Sequence, residues 1–442
     1  MRGFRTIAEA AALLFALSLP AFAQITQVRH IIIIVQENRT PDNLFHGLTL
    51  PGADIANSGL DSKGQTITLQ KIALDNSYDL SHKHNAFLEM YDGGKMDGAN
   101  LIACRPKQDC PKFPQYRYVD PSNVVPYFEI ATNYGFANRM FETNQGPSFP
   151  SHQFFLSGTS APSTTSLDFA AEEPNLKSTV YGNGCIADSQ QSVPLIDPSG
   201  SEGTALYPCY EHPTLTDLLD GAGVSWRYYT ALLGEGGWIW TGPLAMSHMC
   251  VSSGPGGACT GTDFSGEKVF FGPAQILTDI QNGELANVSW VIPDAGESDH
   301  PEINNGSGPS WVSSVVNAVG ESPYWDSSVI FITWDDWGGW YDHVAPPIDP
   351  TYGYYEYGFR VPLLVVSPYT PQGTVSNTVL DVGSLLKFVE ETFDLPSIQS
   401  LDPSINTNYA DERANAPSDF FDFSAPPRPF VAISAAKTHL SQ

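Results

Sequence analysis

The stretch Ile31-Ile32-Ile33-Ile34-Val35, followed at once by Gln36-Glu37-Asn38, decides the fold class of this 442-residue sequence. A nearly continuous apolar run, without alternation, is typical of a parallel strand that is covered on both faces of a sheet. Strands that alternate with helices predict a layered α/β sandwich with a mostly parallel central sheet. Three further runs of this kind lie at 288–292, 329–333 and 361–366, and helical patterns lie at 125–133, 215–220, 311–319 and 382–393.

Long polar segments interrupt this alternation. Residues 51–80 and 160–210 are rich in Ser, Thr, Gly, Pro and Asn, and the Gly-rich span 231–265 carries two cysteines. We interpret all three as loop insertions on the catalytic face. The last 45 or so residues are rich in proline and predict an extended strap over the surface. The expected organisation is therefore a single catalytic domain over 24–442.

The first 23 residues have the pattern of a secretory signal peptide. Arg2 and Arg5 precede a short apolar stretch, and Ala21-Phe22-Ala23 forms a small-residue cleavage site. No later segment approaches the about 18 consecutive apolar residues of a membrane span. We therefore expect a secreted or periplasmic protein that is cleaved near Ala23 and has no stable membrane anchor.

Composition restricts the partners and the compartment. The chain has 48 acidic and 21 basic residues, a net charge of −27, which repels nucleic acid and anionic membranes. Such a negative charge would suit a protein that works at low pH, where part of it is neutralised, or it would simply keep the protein soluble. Six cysteines fit an oxidising compartment. Although they allow many connectivities, we expect pairing between neighbours: Cys104 with Cys110, Cys185 with Cys209, and Cys250 with Cys259.

Oxygen-bearing side chains follow three of the predicted strands. Glu37 and Asn38 follow the first strand, Asp335 and Asp336 follow the run at 329–333, and the run at 288–292 is followed by Asp294, Glu297 and Asp299. In open α/β sheets, ligands bind beyond the carboxyl ends of the strands. Adjacent carboxylates repel each other unless a cation or protons intervene, and hard oxygen donors suit Ca²⁺, Mg²⁺ or Mn²⁺. We predict a divalent metal site here, although the two aspartates could simply open a turn.

A second group of polar residues surrounds Ser148, in the segment Gln145-Gly146-Pro147-Ser148-Phe149-Pro150. The glycine and proline shape a turn, and Ser148 stands where a helix is expected to begin. A helix N-terminus offers free N–H groups and a positive dipole end to an anion. Ser148 is therefore a candidate nucleophile for a phosphate ester, although serine is also a common helix cap.

Several of the ten histidines lie beside acidic residues. A histidine at the end of a catalytic strand can bind phosphate oxygens or protonate a leaving group. The candidates are His82, His84, His300 next to Asp299, and His343 next to Asp342.

Together these segments resemble the phosphoesterase family of bacterial phospholipases C and secreted acid phosphatases, a branch of the alkaline phosphatase-like superfamily. The matching pieces, in the family's order, are HIIIIVQENRTPDNLFHG (30–47), DLSHKHNAF with GGKMDG (79–98), QGPSFPSHQFFLSGT (145–159), SDHP (298–301), ITWDDWGGWYDHVAPP (332–347) and GFRVPLLVVSP (358–368).

The resemblance implies a three-layer α/β/α sandwich and a set of roles. Glu37, Asn38, Asp335 and Asp336 match metal ligands, and Ser148 matches the nucleophile. His82, His300 and His343 match catalytic histidines. As contacts to the substrate we add His84, Asp299 and Asp342.

The sequence departs from the family pattern at some positions. Asp335-Asp336 often reads Asp-Glu in the family, and both pairs are hard ligands. Pro150-Ser151-His152 replaces the common P-N-R, which removes an arginine that would contact phosphate. The C-terminal β-domains and the twin-arginine signal of many phospholipases C have no counterpart in this sequence, which favours a compact phosphatase-like member.

The resulting prediction is a secreted, metal-dependent phosphoric-ester hydrolase that acts through a phosphoserine, with an acid phosphatase favoured over a phospholipase C. Its partner would be a small phosphate ester or a phospholipid head group. The alternatives are a phospholipase C proper, a catalytically silent binding protein, a glycosidase with paired carboxylates, and a sulfatase. The sulfatase pattern would require an arginine where His152 stands.

Overall fold

A computed structural model describes residues 25–175, 183–265, 268–348, 354–402 and 409–434. The predicted signal peptide and its cleavage site near Ala23 lie outside these residues. The helices are α1 Pro41–Leu44, α2 His84–Tyr91, α3 Val125–Asn133, α4 Ser148–Ser157, α5 Leu215–Ala222, α6 Gln275–Asn282, α7 Gly308–Gly320, α8 Val382–Phe393 and α9 Ala410–Arg413.

Fifteen strands form one large sheet and three small ones within the described residues. The strands are β1 His30–Gln36, β2 Ser58–Leu60, β3 Thr66–Thr68, β4 Gln70–Ile72, β5 Arg117–Val119, β6 Gly135–Ala137, β7 Phe169–Ala170, β8 Val193–Ile196, β9 Glu202–Leu206, β10 Trp226–Thr230, β11 Val269–Phe271, β12 Val288–Val291, β13 Ser328–Trp334, β14 Leu363–Val366 and β15 Thr374–Ser376.

The large sheet has eight strands in the order β11-β10-β12-β1-β13-β14-β6-β15. Every neighbouring pair is parallel except the two that involve β14, which runs opposite to β13 and to β6. The apolar run at 361–366 was expected to form a parallel strand, and that expectation is wrong. A strand covered on both faces needs the same apolar run whichever way it points, so the run alone does not give its direction.

Helices cover both faces of this sheet. Phe331 packs on Phe388 of α8, with ring centroids 5.2 Å apart, while Trp334 packs on Tyr127 of α3 at 5.1 Å. Because residues an odd number of positions apart point to opposite faces of a strand, α8 and α3 lie on opposite sides of β13. All of β13 is buried, as the prediction of a three-layer sandwich requires.

The central strands β12, β1 and β13 are neighbours, with β1 in the middle. Their carboxyl ends therefore meet at one edge, as the sequence predicted for these three runs. The predicted helices at 125–133 and 382–393 match α3 and α8, and the other two are each longer by a few residues.

The three small sheets lie in the predicted insertions or next to them. The cysteines pair between neighbours as expected: Cys104 with Cys110, Cys185 with Cys209, and Cys250 with Cys259.

The C-terminal segment lies against the sandwich. Residues 425–434 carry no helix or strand, and the Val431 amide donates to the Tyr134 hydroxyl at 2.9 Å. Earlier in this segment the short helix α9 interrupts the predicted extended strap. Within the described part of the chain, no helix combines the length and the apolar character needed to cross a bilayer.

Candidate active site

The loops that follow β1 and β13 are bound to each other. The Asp335 amide donates to the Gln36 carbonyl at 2.9 Å, and the Asn38 amide donates to the Asp335 carboxylate at 2.9 Å. Asn38 adopts a left-handed backbone, with φ of 61°, which asparagine tolerates better than most residues. Its side-chain amide donates to Asp336 Oδ1 at 2.9 Å. These contacts bring the two halves of the predicted ligand set together.

Ser148 is the first residue of α4, as the sequence predicted. Its Oγ lies 3.2 Å from Glu37 Oε2 and 3.1 Å from Asp336 Oδ2. The Ser148 hydroxyl therefore lies beside carboxylates from two strand ends that are far apart in the sequence, as the sequence analysis predicted. Gly146 precedes Ser148, and a side chain there would collide with the Tyr355 hydroxyl and the Ala171 carbonyl. Only glycine fits at this close approach.

The carboxylates around Ser148 are fully buried. Burial and the charge of Asp335 raise the pKa of Glu37 well above its usual range, and the same causes act on the pKa of Asp336. Among the described residues, no lysine or arginine pairs with Glu37, Asp335 or Asp336. Burying an ionised carboxylate without a counter-charge raises the free energy of the folded protein, so these groups must either be protonated or bind a cation.

The donor set fits a divalent cation. One oxygen of Glu37, one of Asp335 and one ring nitrogen of His152 lie within 4.8 Å of one another, and all three residues are buried. Asn38 Oδ1 and Asp335 Oδ2 are buried and have no hydrogen-bond partner. Orphaned oxygens beside clustered carboxylates are the arrangement that a hard cation satisfies.

Two of the predicted histidines face this group. His82 Nε2 lies 3.3 Å from Asn38 Nδ2, and the His82 and His300 ring centroids are 6.3 Å apart. In each ring Nδ1 lies against a backbone carbonyl, Leu80 at 2.9 Å and Pro301 at 2.7 Å. A protonated Nδ1 that donates to a carbonyl leaves Nε2 as the nitrogen available for chemistry.

His84 and Asp299, both predicted substrate contacts, have protein partners. His84 Nδ1 lies 3.2 Å from the Gln145 carbonyl, and burial lowers the pKa of this ring. Asp299 Oδ2 accepts from the Tyr127 hydroxyl at 2.9 Å and from Trp334 Nε1 at 3.0 Å. Neither residue has a hydrogen bond to Ser148 in the described structure.

His343 and Asp342 lie in a separate buried charge cluster with Asp42 and Arg360. Arg360 donates to both oxygens of Asp342, at 2.7 and 3.0 Å. His343 Nδ1 lies 2.8 Å from Asp42, and its Nε2 lies 3.0 Å from Asp54. Both nitrogens of His343 are therefore engaged by carboxylates. The structure does not bring this histidine into contact with the group around Ser148.

The model of the phosphoesterase family matches residues 28–396. The chain belongs to the phosphoesterase family.

Several relatives of this phosphoesterase are phospholipases C. The non-hemolytic phospholipase C of Burkholderia pseudomallei is 32% identical in an alignment of 228 positions that covers 42% of this chain and 32% of that protein. The hemolytic phospholipase C of Pseudomonas aeruginosa is 23% identical in an alignment of 424 positions that covers 84% of this chain and 53% of that protein. The chain thus spans between a third and about half the length of these two relatives. Phospholipase C B of Mycobacterium tuberculosis is 22% identical in an alignment of 466 positions that covers 93% of this chain and 80% of that protein.

A protein in the alkaline phosphatase superfamily from Vibrio parahaemolyticus is a structural neighbour of this phosphoesterase. It is 11% identical, with a TM-score of 0.37, and the alignment covers 90% of this chain and 73% of that one.

His152 of this phosphoesterase is a site residue that the sequence reasoning missed. It stands where the family often has the arginine of P-N-R, and its Nε2 lies 2.9 Å from Glu37 Oε1. Burial lowers the pKa of His152 to about 4, so the ring is neutral. Its position four residues after Ser148, on the same helical face, was the available signal. The role of His152 depends on its contact with Glu37, which lies 115 residues away in the sequence.

Two further glutamates of this phosphoesterase were also missed, Glu142, which is buried, and Glu173, which is half-buried. Glu173 Oε1 accepts a hydrogen bond from the Phe149 amide at 3.0 Å. A carboxylate is therefore already bound to one of the N–H groups at the start of α4 that the sequence analysis expected to bind phosphate. Burial raises the pKa of Glu173 to about 7. Burial, with the charges of Asp336 and Asp335, raises the pKa of Glu142 well above its usual range. Both glutamates add to the acidic character of the site.

Proposed function

We propose that this phosphoesterase hydrolyses phosphoric esters with Ser148 as the nucleophile. The observation that carries the proposal is the Ser148 hydroxyl between two buried carboxylates, 3.2 Å from Glu37 and 3.1 Å from Asp336. A serine hydroxyl is a weak nucleophile until a neighbouring group removes its proton or stabilises its alkoxide. Either carboxylate is within reach of the Oγ proton.

Glu37, Asn38, Asp335 and Asp336 would hold a divalent metal ion. Bound there, the ion supplies Lewis acidity toward a phosphoryl oxygen and neutralises the buried carboxylates. The orphaned oxygens of Asn38 and Asp335 support this assignment, and so does the close approach of His152 to Glu37.

The steps at phosphorus use the chain's own groups. Ser148 Oγ forms a bond to phosphorus, its proton passes to a carboxylate oxygen, and the bond to the leaving alcohol breaks. His82 or His300 gives a proton to that alcohol through Nε2. Water then cleaves the phosphoserine and regenerates the hydroxyl. Positioning and charge stabilisation account for most of the rate in such chemistry.

The acidic surroundings favour a diester over a monoester as substrate. A monoester carries two negative charges and rewards additional cations, yet no described lysine or arginine contacts the Ser148 group. Arg39, next to Asn38 in sequence, donates instead to the carbonyls of Leu74 and Asp299, both at 2.8 Å. The names of the relatives also favour phospholipase C. We therefore propose phospholipase C-type cleavage, and the phosphatase preference expected from the sequence receives no support from these relatives.

Two chromogenic substrates test the proposal. Nitrophenyl phosphocholine should be cleaved faster than nitrophenyl phosphate, and Ser148→Ala should abolish both activities. Ser157→Ala is the matched control, since Ser157 lies on the same helix and bonds only to backbone carbonyls of residues 153 and 159. Intact mass after rapid acid quench should show a covalent adduct that Ser148→Ala lacks. Full activity in Ser148→Ala would show that Ser148 is not the nucleophile, and a folded parent protein with no turnover of either ester would favour a glycosidase or a silent binding protein instead.

A further inference from the structure

The amino end of α4 is already bound by a carboxylate from another part of the chain. The helix begins at Ser148, and Pro147 before it offers no side-chain acceptor to the helix. Glu173, which lies 24 residues after Phe149, takes this place, because its Oε1 accepts from the Phe149 amide at 3.0 Å. The free N–H groups at a helix start carry partial positive charge and therefore attract a carboxylate. The N–H group next to the proposed nucleophile is thus not free for a phosphate oxygen.

The charge of Glu173 also acts on the candidate metal ligands. Burial and the charge of Asp335 raise the pKa of Asp336, and the charge of Glu173 adds to this effect. Burial raises the pKa of Glu173 itself to about 7, against the opposing effects of its hydrogen bond to α4 and of His82. The second oxygen, Glu173 Oε2, is buried and has no hydrogen-bond partner among the described residues. Glu173 therefore belongs to the electrostatic surroundings of the reacting groups.

Backbone hydrogen bonds on both sides of Glu173 hold its segment in place. Before it, the Ala171 amide donates to the Pro194 carbonyl at 3.0 Å. After it, the Asn175 amide donates to the Ser192 carbonyl at 2.9 Å. The backbone around Glu173 is therefore fixed independently of any substrate. A charge that is held in position before binding can discriminate between ligands without the cost of ordering it first.

A carboxylate at this position distinguishes the two classes of phosphate ester by their charge. The phosphoryl group of a monoester has three non-bridging oxygens that share two negative charges. A diester has one non-bridging oxygen fewer and a single negative charge, because an uncharged ester oxygen takes the place of the third. Proteins often obtain specificity by placing a like charge against the ligand that is to be rejected.

We propose that Glu173 is a specificity-determining residue that selects phosphate diesters over monoesters at the Ser148 site. The inference rests on the proposed function and assigns its diester preference to a particular side chain. With Glu173 bound to the Phe149 amide, the third charged oxygen of a monoester meets a carboxylate where it would otherwise meet an N–H group. A diester presents an uncharged substituent on that side, and a carboxylate does not repel it.

Glu173→Gln tests this proposal, because glutamine keeps an oxygen that accepts from the Phe149 amide and removes the charge. The kcat/KM for nitrophenyl phosphate should rise by about tenfold or more relative to that for bis-nitrophenyl phosphate, a diester without a cationic head group. Glu202→Gln is the matched control, since Glu202 is exposed on β9, in the small sheet that contains β7, and its substitution removes the same charge. If Glu173 were only a helix cap, Glu173→Gln would lower both activities together. An unchanged ratio of the two activities would overturn the proposal.

Binding of inorganic phosphate gives a second readout that does not depend on turnover. Isothermal titration in the presence of MgCl₂ should show phosphate binding to Glu173→Gln about tenfold or more tighter than to the parent or to Glu202→Gln. Dimethyl phosphate, a diester with one charge, should bind the parent and Glu173→Gln with similar affinity. Equal phosphate affinity in the parent and Glu173→Gln would overturn the proposal even if both esters were cleaved. Full activity in Ser148→Ala would instead contradict the proposed nucleophile, and the phosphate titration would still decide the role of Glu173.

Discussion

Ser148 and His152 lie one turn apart on α4 and contact the two oxygens of the same carboxylate. Ser148 Oγ is 3.2 Å from Glu37 Oε2, and His152 Nε2 is 2.9 Å from Glu37 Oε1. The helix thus fixes the spacing between the proposed nucleophile and the group that orients Glu37. Ser151, on the same face, donates to the Asp335 carbonyl at 2.6 Å. One helical face therefore engages both strand-end loops.

His152→Ala should weaken metal binding more than it weakens the fold. Removing a partner of a metal-ligating carboxylate typically lowers metal affinity by about 10- to 100-fold. We expect a loss of this size in Mg²⁺ or Ca²⁺ titrations, and partial recovery of rate at high metal concentration. Affinity equal to that of the parent would show that His152 has no part in holding Glu37.

Gly338→Ala should reduce activity by displacing a candidate ligand. Gly338 has a left-handed backbone with φ of 63°, and a side chain there would collide with the Asn38 carbonyl. Gly64→Ala is the control, with a φ of 74° and no atom within 4 Å of the added carbon. Both variants carry backbone strain of about 1 kcal/mol, so an activity loss confined to Gly338→Ala measures the displacement of Asn38. Equal kcat/KM in the two variants would contradict this.

Arg360→Ala should destabilise the fold strongly. Its guanidinium is fully buried and pairs with Asp342 at 2.7 Å and Asp42 at 3.4 Å, so its removal leaves Asp342 without a cation and Asp42 with His343 as its remaining partner. Breaking such a pair costs about 3–5 kcal/mol. Lys95→Ala, at an exposed pair with Asp92, should leave the free energy of unfolding close to that of the parent. Urea unfolding of both variants measures the difference, and similar midpoints would show that the Arg360 cluster is not a stability centre.

The buried acids Glu390 and Asp411 should make the fold more stable in acid than in base. Burial and the nearby Asp411 raise the pKa of Glu390 to about 9, and burial raises the pKa of Asp411 to about 6. An acid with a raised pKa in the folded state stabilises the fold fully below its unfolded pKa of about 4. That contribution is lost as pH rises toward 9.

Urea unfolding at pH 5, 7 and 9 checks this dependence. The unfolding free energy should fall across this range in the parent, and it should fall less in Glu390→Gln. Glu321→Gln, at an exposed position after α7, should follow the parent. If the unfolding free energy of Glu390→Gln fell with pH as steeply as that of the parent, Glu390 and Asp411 would not be the cause of the pH dependence.

The sequence allowed prediction of which side chains would lie together wherever one strand end supplied consecutive candidate ligands. Glu37-Asn38 and Asp335-Asp336 are adjacent in sequence, and parallel neighbours bring their ends together. His152 and Glu173 could not be predicted in this way, because each acquires its role from one long-range contact. The short strands β6 and β15 could not be predicted from the sequence either, because three residues are too few to show a strand pattern of apolar and polar side chains.

The direction of β14 could not be predicted, since burial on both faces selects the same residues in either orientation. For β10, Trp226-Arg227-Tyr228-Tyr229-Thr230 lacks the continuous apolar run of the central strands, although four of its five residues are buried. Aromatic rings with polar tips can fill a core position when the tip finds a partner. The Tyr229 hydroxyl does so by donating to Asp279 at 2.6 Å.

The disulfides have a practical consequence for production of the protein. They close short loops, with sequence separations of 6, 24 and 9, and no cysteine lies in the eight-stranded sheet. Short loops restrict the unfolded chain less than long ones do. Each crosslink is nevertheless worth about 2–4 kcal/mol, so synthesis in an oxidising compartment should yield more folded protein than synthesis in a reducing cytoplasm. The missing crosslinks would loosen first the outer loops that they join, such as those around Glu211 and His248.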